Sequence, residues 1–571
     1  MYSYIFLIEL KIKEKYAILG TYKGGDILKD LITKNKKFVA ITLVLVVLTS
    51  ITATITPIII QALSNQTTGM SKHIFGIVIG AMVVSFALQF SLLIYRQNYA
   101  AKFNTEHLSS LLKKMYNMKY DAYNKLEPTY IINRIFTAVD TLYLFMISSF
   151  EGITQAAFII FVSLFLAFSV HWSIFLVLLL LIPINLFGFR FINTRLKRKM
   201  EAMQSEGAMT NKDLVSTLSN VDNIKQLSDY DTLEKIVLPG IGKMYRTLAT
   251  TNKFAQGSSS VIDFINQLFQ TVVYLTITYS ITQNWLPMSS IVIIGIVLPL
   301  FFNSLKKLTE VNISFKTLET SLDFVKTDLD NNIEDNGPLK VNTIDFITFE
   351  NPKFKLGELD FSFSIRAELS KGQVVYLQGP SGSGKSSLLK LLLKFRHSSG
   401  IKINNTPIEN IRNHSLRSRI AYLSQNTTIL SRSLEENIGF GRLLTNEEKA
   451  YIENSKVLDP ILKTKNWDTL LQENGANLSG GEKQRVAIAR MLLKDADVYI
   501  LDESTSSIDQ ASSDDIFNTL LTIAKDKIVI FTSHDMNTVK YATHIISIET
   551  ENRHEELLDG RGSGKRITSN D

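Results

Sequence analysis

The chain has 571 residues, 45% hydrophobic and 20% charged, with 61 Lys and Arg against 54 Asp and Glu for a net charge of +7, and it contains no cysteine. The apolar content excludes an intrinsically disordered chain, and the missing thiols exclude disulfides, thiolate zinc sites, cysteine-ligated iron–sulfur clusters and cysteine nucleophiles. The basic balance points to nucleic acid or to a membrane surface, and a mean hydropathy of +0.10 averages two unlike halves.

Residues 1–37 open the chain with an apolar start interrupted by Glu9, Lys11, Lys13, Glu14 and Lys15, which is no secretory signal. Six stretches then have the roughly 20 apolar residues that a bilayer-spanning helix needs. They are Phe38–Leu63, Ile74–Ile94, Thr141–Val170, Trp172–Phe191, Ser258–Thr282 and Pro287–Asn303. The connections after the first, third and fifth are short and nearly free of basic residues. The others are long and rich in Lys and Arg, from Arg96 to Arg134 and from Arg195 to Lys253. Basic loops stay on the cytoplasmic side, so both termini are expected there, or on the matrix side of an organelle. Much of the positive charge is thereby an orientation signal, with no call for nucleic acid. Helical spacing in the long loops, as in Leu108, Leu111, Leu112 and Met115, predicts helices that continue beyond the bilayer. They are expected to turn at short helices near Asp121–Ile131 and Leu214–Leu227, which would dock on the second domain near Gln425. Polar residues within spans face a protein interior or a wet cavity. The candidates are Gln89, Glu151, Gln155, Asp263, Asn266, Gln267 and Gln270, with Asp263, Asn266, Gln267 and Gln270 as the expected cargo-cavity set.

Residues 328–343, rich in Asn, Asp and Gly, read as a linker. Beyond them short β-rich runs alternate with helices, the pattern of an α/β domain over 344–558, followed by a polar tail, 559–571. The strand Val374–Gln378 leads into Gly379, Pro380, Ser381, Gly382, Ser383, Gly384, Lys385, Ser386 and Ser387, then a helix. This is a phosphate-binding loop in its strand–loop–helix setting. Backbone amides would wrap the β-phosphate at a helix N-terminus, Lys385 would neutralise phosphate oxygens, and Ser386 would ligate Mg²⁺. A second strand, Val498–Leu501, delivers Asp502 for the metal and Glu503 to polarise the attacking water. A third, Ile528–Thr532, ends in Ser533 and His534, which would reach the γ-phosphate. A second loop-like string at Gly560–Lys565 has no flanking strand and belongs to the tail.

Between them Leu478, Ser479, Gly480, Gly481, Glu482, Lys483, Gln484 and Arg485 precede a helix. This string resembles the signature of ATP-binding-cassette proteins. The order of phosphate loop, Gln425, signature, Asp502–Glu503, Asp509 and His534 is similar to the whole family, over about Asp26–Leu558. Six spans before one cassette resemble an exporter-type half-transporter: a membrane all-α domain of six transmembrane helices, 38–327, fused to an α/β P-loop nucleotide-binding domain. The resemblance implies ATP and Mg²⁺, the latter on Ser386, Gln425 and Asp502. It implies Glu503, His534, Lys385 and Gln425 as catalytic groups. It also implies a head-to-tail dimer in which ATP is clamped between the phosphate loop of one chain and Ser479, Gly480, Gly481 and Glu482 of the other. A homodimer needs no extra subunit, and a heterodimer stays open. The family's adenine-stacking aromatic is replaced by Leu356 in this register, with Phe354 or Phe361 as substitutes.

Within the family, Ser479–Arg485, Glu436–Arg442 (Glu-Asn-Ile-Gly-Phe-Gly-Arg), Leu218–Lys225 and Leu298–Leu300 resemble the mitochondrial iron–sulfur-related (heavy-metal) exporters. That likeness implies glutathione-linked sulfur compounds as cargo, carried across a cell membrane or a mitochondrial-type inner membrane. Peptide or bacteriocin export, lipid or drug export, and import remain alternatives. A cassette ATPase of repair or translation is the contrasting class, and the six spans argue against it.

Overall fold

The computed structural model describes residues 35–64, 72–219, 224–226, 229–357, 359–425, 427–503, 510–548 and 550–552. Two compact units emerge. The first comprises the chain up to Met118 together with Ala122–Ile333, and the second comprises Lys119–Asp121 with the chain from Glu334 onward.

The first unit is built of long helices: α1 (Lys36–Ser64), α2 (Lys72–Tyr116), α4 (Pro128–Val170), α5 (Trp172–Leu218), α6 (Tyr230–Thr282) and α7 (Ser289–Phe324), with the short α3 (Tyr120–Leu126) between α2 and α4. Among the described residues, four segments are long and apolar enough to cross a membrane: Ile79–Tyr116, Pro128–Val170, Trp172–Leu218 and Tyr230–Thr282. They carry four of the six predicted spans, and each helix runs well past the predicted apolar stretch. The other two spans fall on α1 and α7, where some side chains lie outside the described residues. The protein is an integral, multi-pass membrane protein. Its exposed residues include Phe161, Phe165, Phe187 and Phe191, side chains that only lipid would leave comfortable. Leu178, Leu181, Val273, Ile277, Leu298 and Phe301 form the packed interior between α5, α6 and α7.

Local chemistry sets the helix ends. His171 breaks α4 from α5 with an extended backbone, and its ring accepts the Ser173 amide to cap α5. Asp229 caps α6 through the Thr232 amide at 2.9 Å, and that hydrogen bonding holds its carboxyl below the usual range. The short helix expected near Asp121–Ile131 is α3, which ends at Leu126 before Pro128 starts the next helix. The second, near Leu214–Leu227, overlaps the end of α5 and then lies largely outside the described residues. So do Asp509, the closing His554–Leu558 and the tail.

The second unit holds two sheets. The antiparallel one has the order β11–β2–β1–β5–β6, with β3 also on β1. Its strands are β1 (Phe346–Leu356), β2 (Leu359–Phe363), β3 (Arg366–Ser370), β5 (Ser398–Ile403), β6 (Thr406–Pro407) and β11 (Thr550–Asn552). The parallel one has the order β10–β4–β9–β8–β7. It consists of β4 (Val374–Gln378), β7 (Ile420–Leu423), β8 (Val498–Asp502), β9 (Ile528–Thr532) and β10 (His544–Ser547). Strands β8 and β9 are buried throughout, as parallel strands covered on both faces must be. Alternate residues divide between two cores. Val375, Leu377, Val498, Ile500, Ile528 and Ile530 pack with the helix α8 (Lys385–Leu392). Val374, Tyr376, Tyr499, Leu501, Val529 and Phe531 pack with the helix α9 (Gly480–Leu492).

Candidate functional site

The predicted phosphate loop joins β4 to α8. Gly382 (φ +85°) and Gly384 (φ +86°) adopt left-handed backbone that a side chain would strain, so the loop can curl its amides toward one point. Lys385 is the first residue of α8 and is buried; its Nζ donates to the carbonyls of Gly379 (2.8 Å) and Pro380 (3.0 Å). The ammonium thus lies against the loop that anionic oxygens would enter. Ser386 and Ser387 follow in the first turn, half-buried.

Asp502 is the last residue of β8 and is buried. Its Oδ1 accepts from Ser386 Oγ (2.9 Å) and Thr532 Oγ1 (3.1 Å), and its Oδ2 accepts from the Tyr422 hydroxyl (3.1 Å). Burial and the neighbouring Asp502 charge push the Tyr422 hydroxyl far up, so it stays a donor. Tyr422 and Thr532 are site residues that motif reading passed over. Both sit on strands flanking β8, and only strand pairing reveals that they converge. Asp502 Oδ1 and Ser386 Oγ are adjacent hard oxygens, the donor set Mg²⁺ prefers when substrate phosphates supply further ligands. Among the described residues, no group of three or more His, Asp or Glu that could hold a metal ion is present.

Glu503 follows with φ +51°, an uncommon backbone for a side-chain-bearing residue. Its amide donates to Thr532 Oγ1 (3.0 Å), which helps anchor that conformation. Strained backbone of this kind concentrates at functional sites. The carboxylate receives Gln425 Nε2 on Oε2 (3.0 Å), and His534 Nε2 stands 2.9 Å from Oε1. Gln425 and His534, expected from separate parts of the sequence, therefore meet at the Glu503 carboxylate.

Ser479 caps α9 in a reciprocal capping box: its hydroxyl accepts the Glu482 amide, and Glu482 Oε2 accepts the Ser479 amide at 2.7 Å. Lys465 Nζ reaches Glu482 Oε1 at 3.1 Å. Although burial alone would raise the Glu482 carboxyl, these bonds hold it below its ordinary value. Glu482 was predicted among the nucleotide contacts. The fold engages its carboxylate as the partner of the Ser479 cap and of Lys465. Because α8 and α9 pack on opposite faces of the parallel sheet, the sheet stands between Lys385 and Ser479.

The adenine-stacking candidates differ in exposure, and Phe361 is half-buried. Leu356 ends β1 and is exposed. Phe354 is buried, stacked on Phe361 (5.3 Å) and Phe363 (5.7 Å), so it has no free face for a base.

The predicted cargo set separates. Asn266 is buried and exchanges both amide hydrogen bonds with Asn185 (3.0 and 3.1 Å). This pair joins α5 to α6, and a buried amide in a bilayer is cheapest when another amide satisfies it. Asn193 and Asn312 repeat the device between α5 and α7. Glu151, expected at a cavity or the membrane edge, is ion-paired with the buried Arg96. Arg96 also donates to Ile147 O at 2.6 Å, inside a π-helical turn of α4 (Phe145–Ser149) that frees the carbonyl. Asp263 and Gln270 are half-buried and Gln267 is exposed.

Residues Lys119–Asp121 belong to the second unit. There Tyr120 stacks on Phe395 (5.1 Å) and Asp121 accepts Arg396 Nε (2.9 Å), just beyond α8.

The family description "ABC transporter" matches residues 363–506, and "ABC transporter transmembrane region" matches 38–305. A probable ABC transporter ATP-binding/permease protein of Haemophilus influenzae is 38% identical over 36% of this chain and 38% of its own. ABC transporter B family member 24, mitochondrial, of Arabidopsis thaliana is 33% identical over 46% of this chain and 41% of its own. The chain thus spans about two-fifths of the length of these curated relatives. A bacterial Atm1-family ABC exporter solved with ATP bound shares the fold, with a TM-score of 0.77, 19% identity and coverage of 94% of this chain and 97% of that one. With one family description on each half, and the phosphate loop, signature and Asp502–Glu503 pair in place within the second, the chain belongs to the ATP-binding-cassette transporters, with a membrane domain and a single cassette.

Proposed function

We propose that this chain is half of an ATP-driven exporter, in which two copies couple ATP hydrolysis to alternating access. The observation that carries the reading is the Glu503 carboxylate held between Gln425 and His534, next to a phosphate loop and a buried Asp502. The loop amides and Lys385 bind the β- and γ-phosphates. Glu503 takes a proton from the water that attacks the γ-phosphorus, the bond to the β-phosphate oxygen breaks, and ADP and phosphate leave. Gln425 and His534 keep that carboxylate aimed, and Tyr422, Ser386 and Thr532 keep Asp502 fixed. Ser386, Asp502 and Gln425 would hold Mg²⁺, which would supply charge neutralisation on the phosphates.

The sheet between Lys385 and Ser479 favours a site completed by a second chain: α9 offers its N-terminus, with the anion preference of any helix start, to the phosphates held by the partner. The cassette lies on the cytoplasmic or matrix side, by the charge of the connecting loops. For cargo we infer glutathione-linked sulfur compounds. The fold likeness to an Atm1-family exporter and the similarity to a mitochondrial relative support that choice.

The test uses the full chain in proteoliposomes with the cassette outward. ATPase activity and ATP-driven uptake of glutathione disulfide are measured together. Both are expected for the native chain, with ATPase stimulated by the cargo. Glu503→Gln should bind ATP yet hydrolyse it about a hundredfold more slowly, and lose uptake, as for loss of a positioned base. Near-normal turnover in that variant would overturn the site. Intact hydrolysis without glutathione response would overturn the cargo and favour a peptide.

A further inference from the structure

A cavity of about 490 Å³ lies in the second unit, lined by Lys340, Arg412, His414 and Arg419 together with Ser415 and Ser418. It is separate from the nucleotide site. Gly379, Gln425, Glu503 and His534 all follow the C-terminal ends of parallel strands, whereas Arg419 immediately precedes the first residue of β7. The two sites therefore stand at opposite ends of the strands, roughly 13 Å apart along the four-residue β7.

The walls are fixed by backbone. Leu339 N donates to Asn410 O (3.0 Å), Arg412 N donates to Leu339 O (2.7 Å), and Val341 N donates to Ser415 Oγ (3.3 Å). These bonds hold the segment carrying Lys340 against the segment carrying Arg412. The cations themselves are largely unspent. Among the described residues, neither Lys340 nor Arg412 forms an ion pair. Arg419 meets only Asp495, whose side chain is 82% exposed and free to swing away. Arg417, two positions before Arg419, is the contrast: its guanidinium forks onto Glu334 (2.8 and 2.9 Å) and also donates to Leu393 O and Lys394 O. Arg417 is used up inside the fold, and Arg412 and Lys340 are not. Cations converging on a concave surface focus a positive potential that draws anions, and Arg forks match phosphate oxygens.

We propose that this cavity is a second anion site, distinct from the ATP site, that takes a phosphate-bearing ligand of at least two negative charges. Lys340, Arg412 and Arg419 bind the phosphate oxygens, with His414 and Ser418 at the rim. The ligand ties the segment around Lys340 to the cassette segment 412–419.

Binding of inorganic pyrophosphate, and separately of a short-chain soluble phosphatidylinositol 4-phosphate, is measured by calorimetry on the full chain in nanodiscs of zwitterionic lipid. The background is Lys385→Ala, so that the phosphate loop contributes little. Pyrophosphate binding that weakens about tenfold or more in Lys340→Gln/Arg412→Gln, and falls with added salt, supports a soluble anion. The same dependence seen only with the lipid supports a headgroup as the source of the phosphate. Binding of neither, or binding that the double substitution leaves unchanged, overturns the proposal. Thermal unfolding checks that the double variant is folded. If it is not, Lys340→Gln alone, on an exposed side chain, is expected to weaken binding about threefold, and no change there is equally decisive against the site.

Discussion

Glu503 shows how much one residue's backbone can matter. Its left-handed φ is tolerated because Thr532 accepts its amide, and the result is a carboxylate presented to Gln425 and His534 together. Sequence reading named all three residues, Glu503 and His534 because each follows an apolar strand and Gln425 through the resemblance to the family's motif order. Tyr422 and Thr532 escaped it because a hydroxyl at a strand end has no distinctive spacing; their role follows from register, Leu423 beside Leu501 and Asp502 beside Thr532. Leu356 marks the opposite situation, a position expected to stack adenine that offers only an exposed aliphatic side chain. Phe354, locked in the core, cannot replace it. Leu356→Tyr is therefore expected to tighten ATP binding about tenfold, within the range of aromatic–base stacking. Equilibrium titration with ATP checks this, and unchanged affinity would remove Leu356 from the base-binding position.

At the scale of elements, the membrane helices are joined by paired polar groups at their interfaces. Hydropathy placed the spans, because apolar runs of that length have no other common use. It could not tell an amide facing a cavity from one facing a neighbouring helix, since both look like a polar residue in an apolar run. Asn266, expected at the cavity, has its amide paired with Asn185. Removing one member strands the other in a medium without water. Asn185→Ala and Asn266→Ala are each expected to cost ~1–2 kcal/mol, and the double substitution less than their sum. Unfolding in detergent, run as a double-mutant cycle, measures this, and strict additivity would show that the pair is not coupled. The cassette displays the same limit of sequence reading. Glu482 stands in a signature string, yet its carboxylate is engaged as half of a helix cap.

At the scale of the whole molecule, α8 and α9 lie on opposite faces of one sheet, so the phosphate loop and the signature string begin helices on opposite sides of it within a chain. If two chains complete each other, Lys385→Ala and Ser479→Arg should each fail to trap ATP as homodimers. Co-expressed with different tags and purified through both, the mixed dimer should trap about one ATP, because one of its two sites keeps both native residues. Trapping by neither form would mean that each chain builds its own site. The sequence by itself determined the two-part architecture, four of the membrane spans now seen on described helices, and the residues of the phosphate loop, the Asp502–Glu503 pair and His534. Those features rest on local physics: apolar length, glycine at left-handed turns, and carboxylates delivered at strand ends. Only the tertiary structure decided which of the span polar groups pair with one another, which hydroxyls hold Asp502, that Phe354 is core, and that Lys340 and Arg412 share a cavity. Each of these depends on residues distant in the chain being brought side by side, and neither spacing nor composition records that juxtaposition.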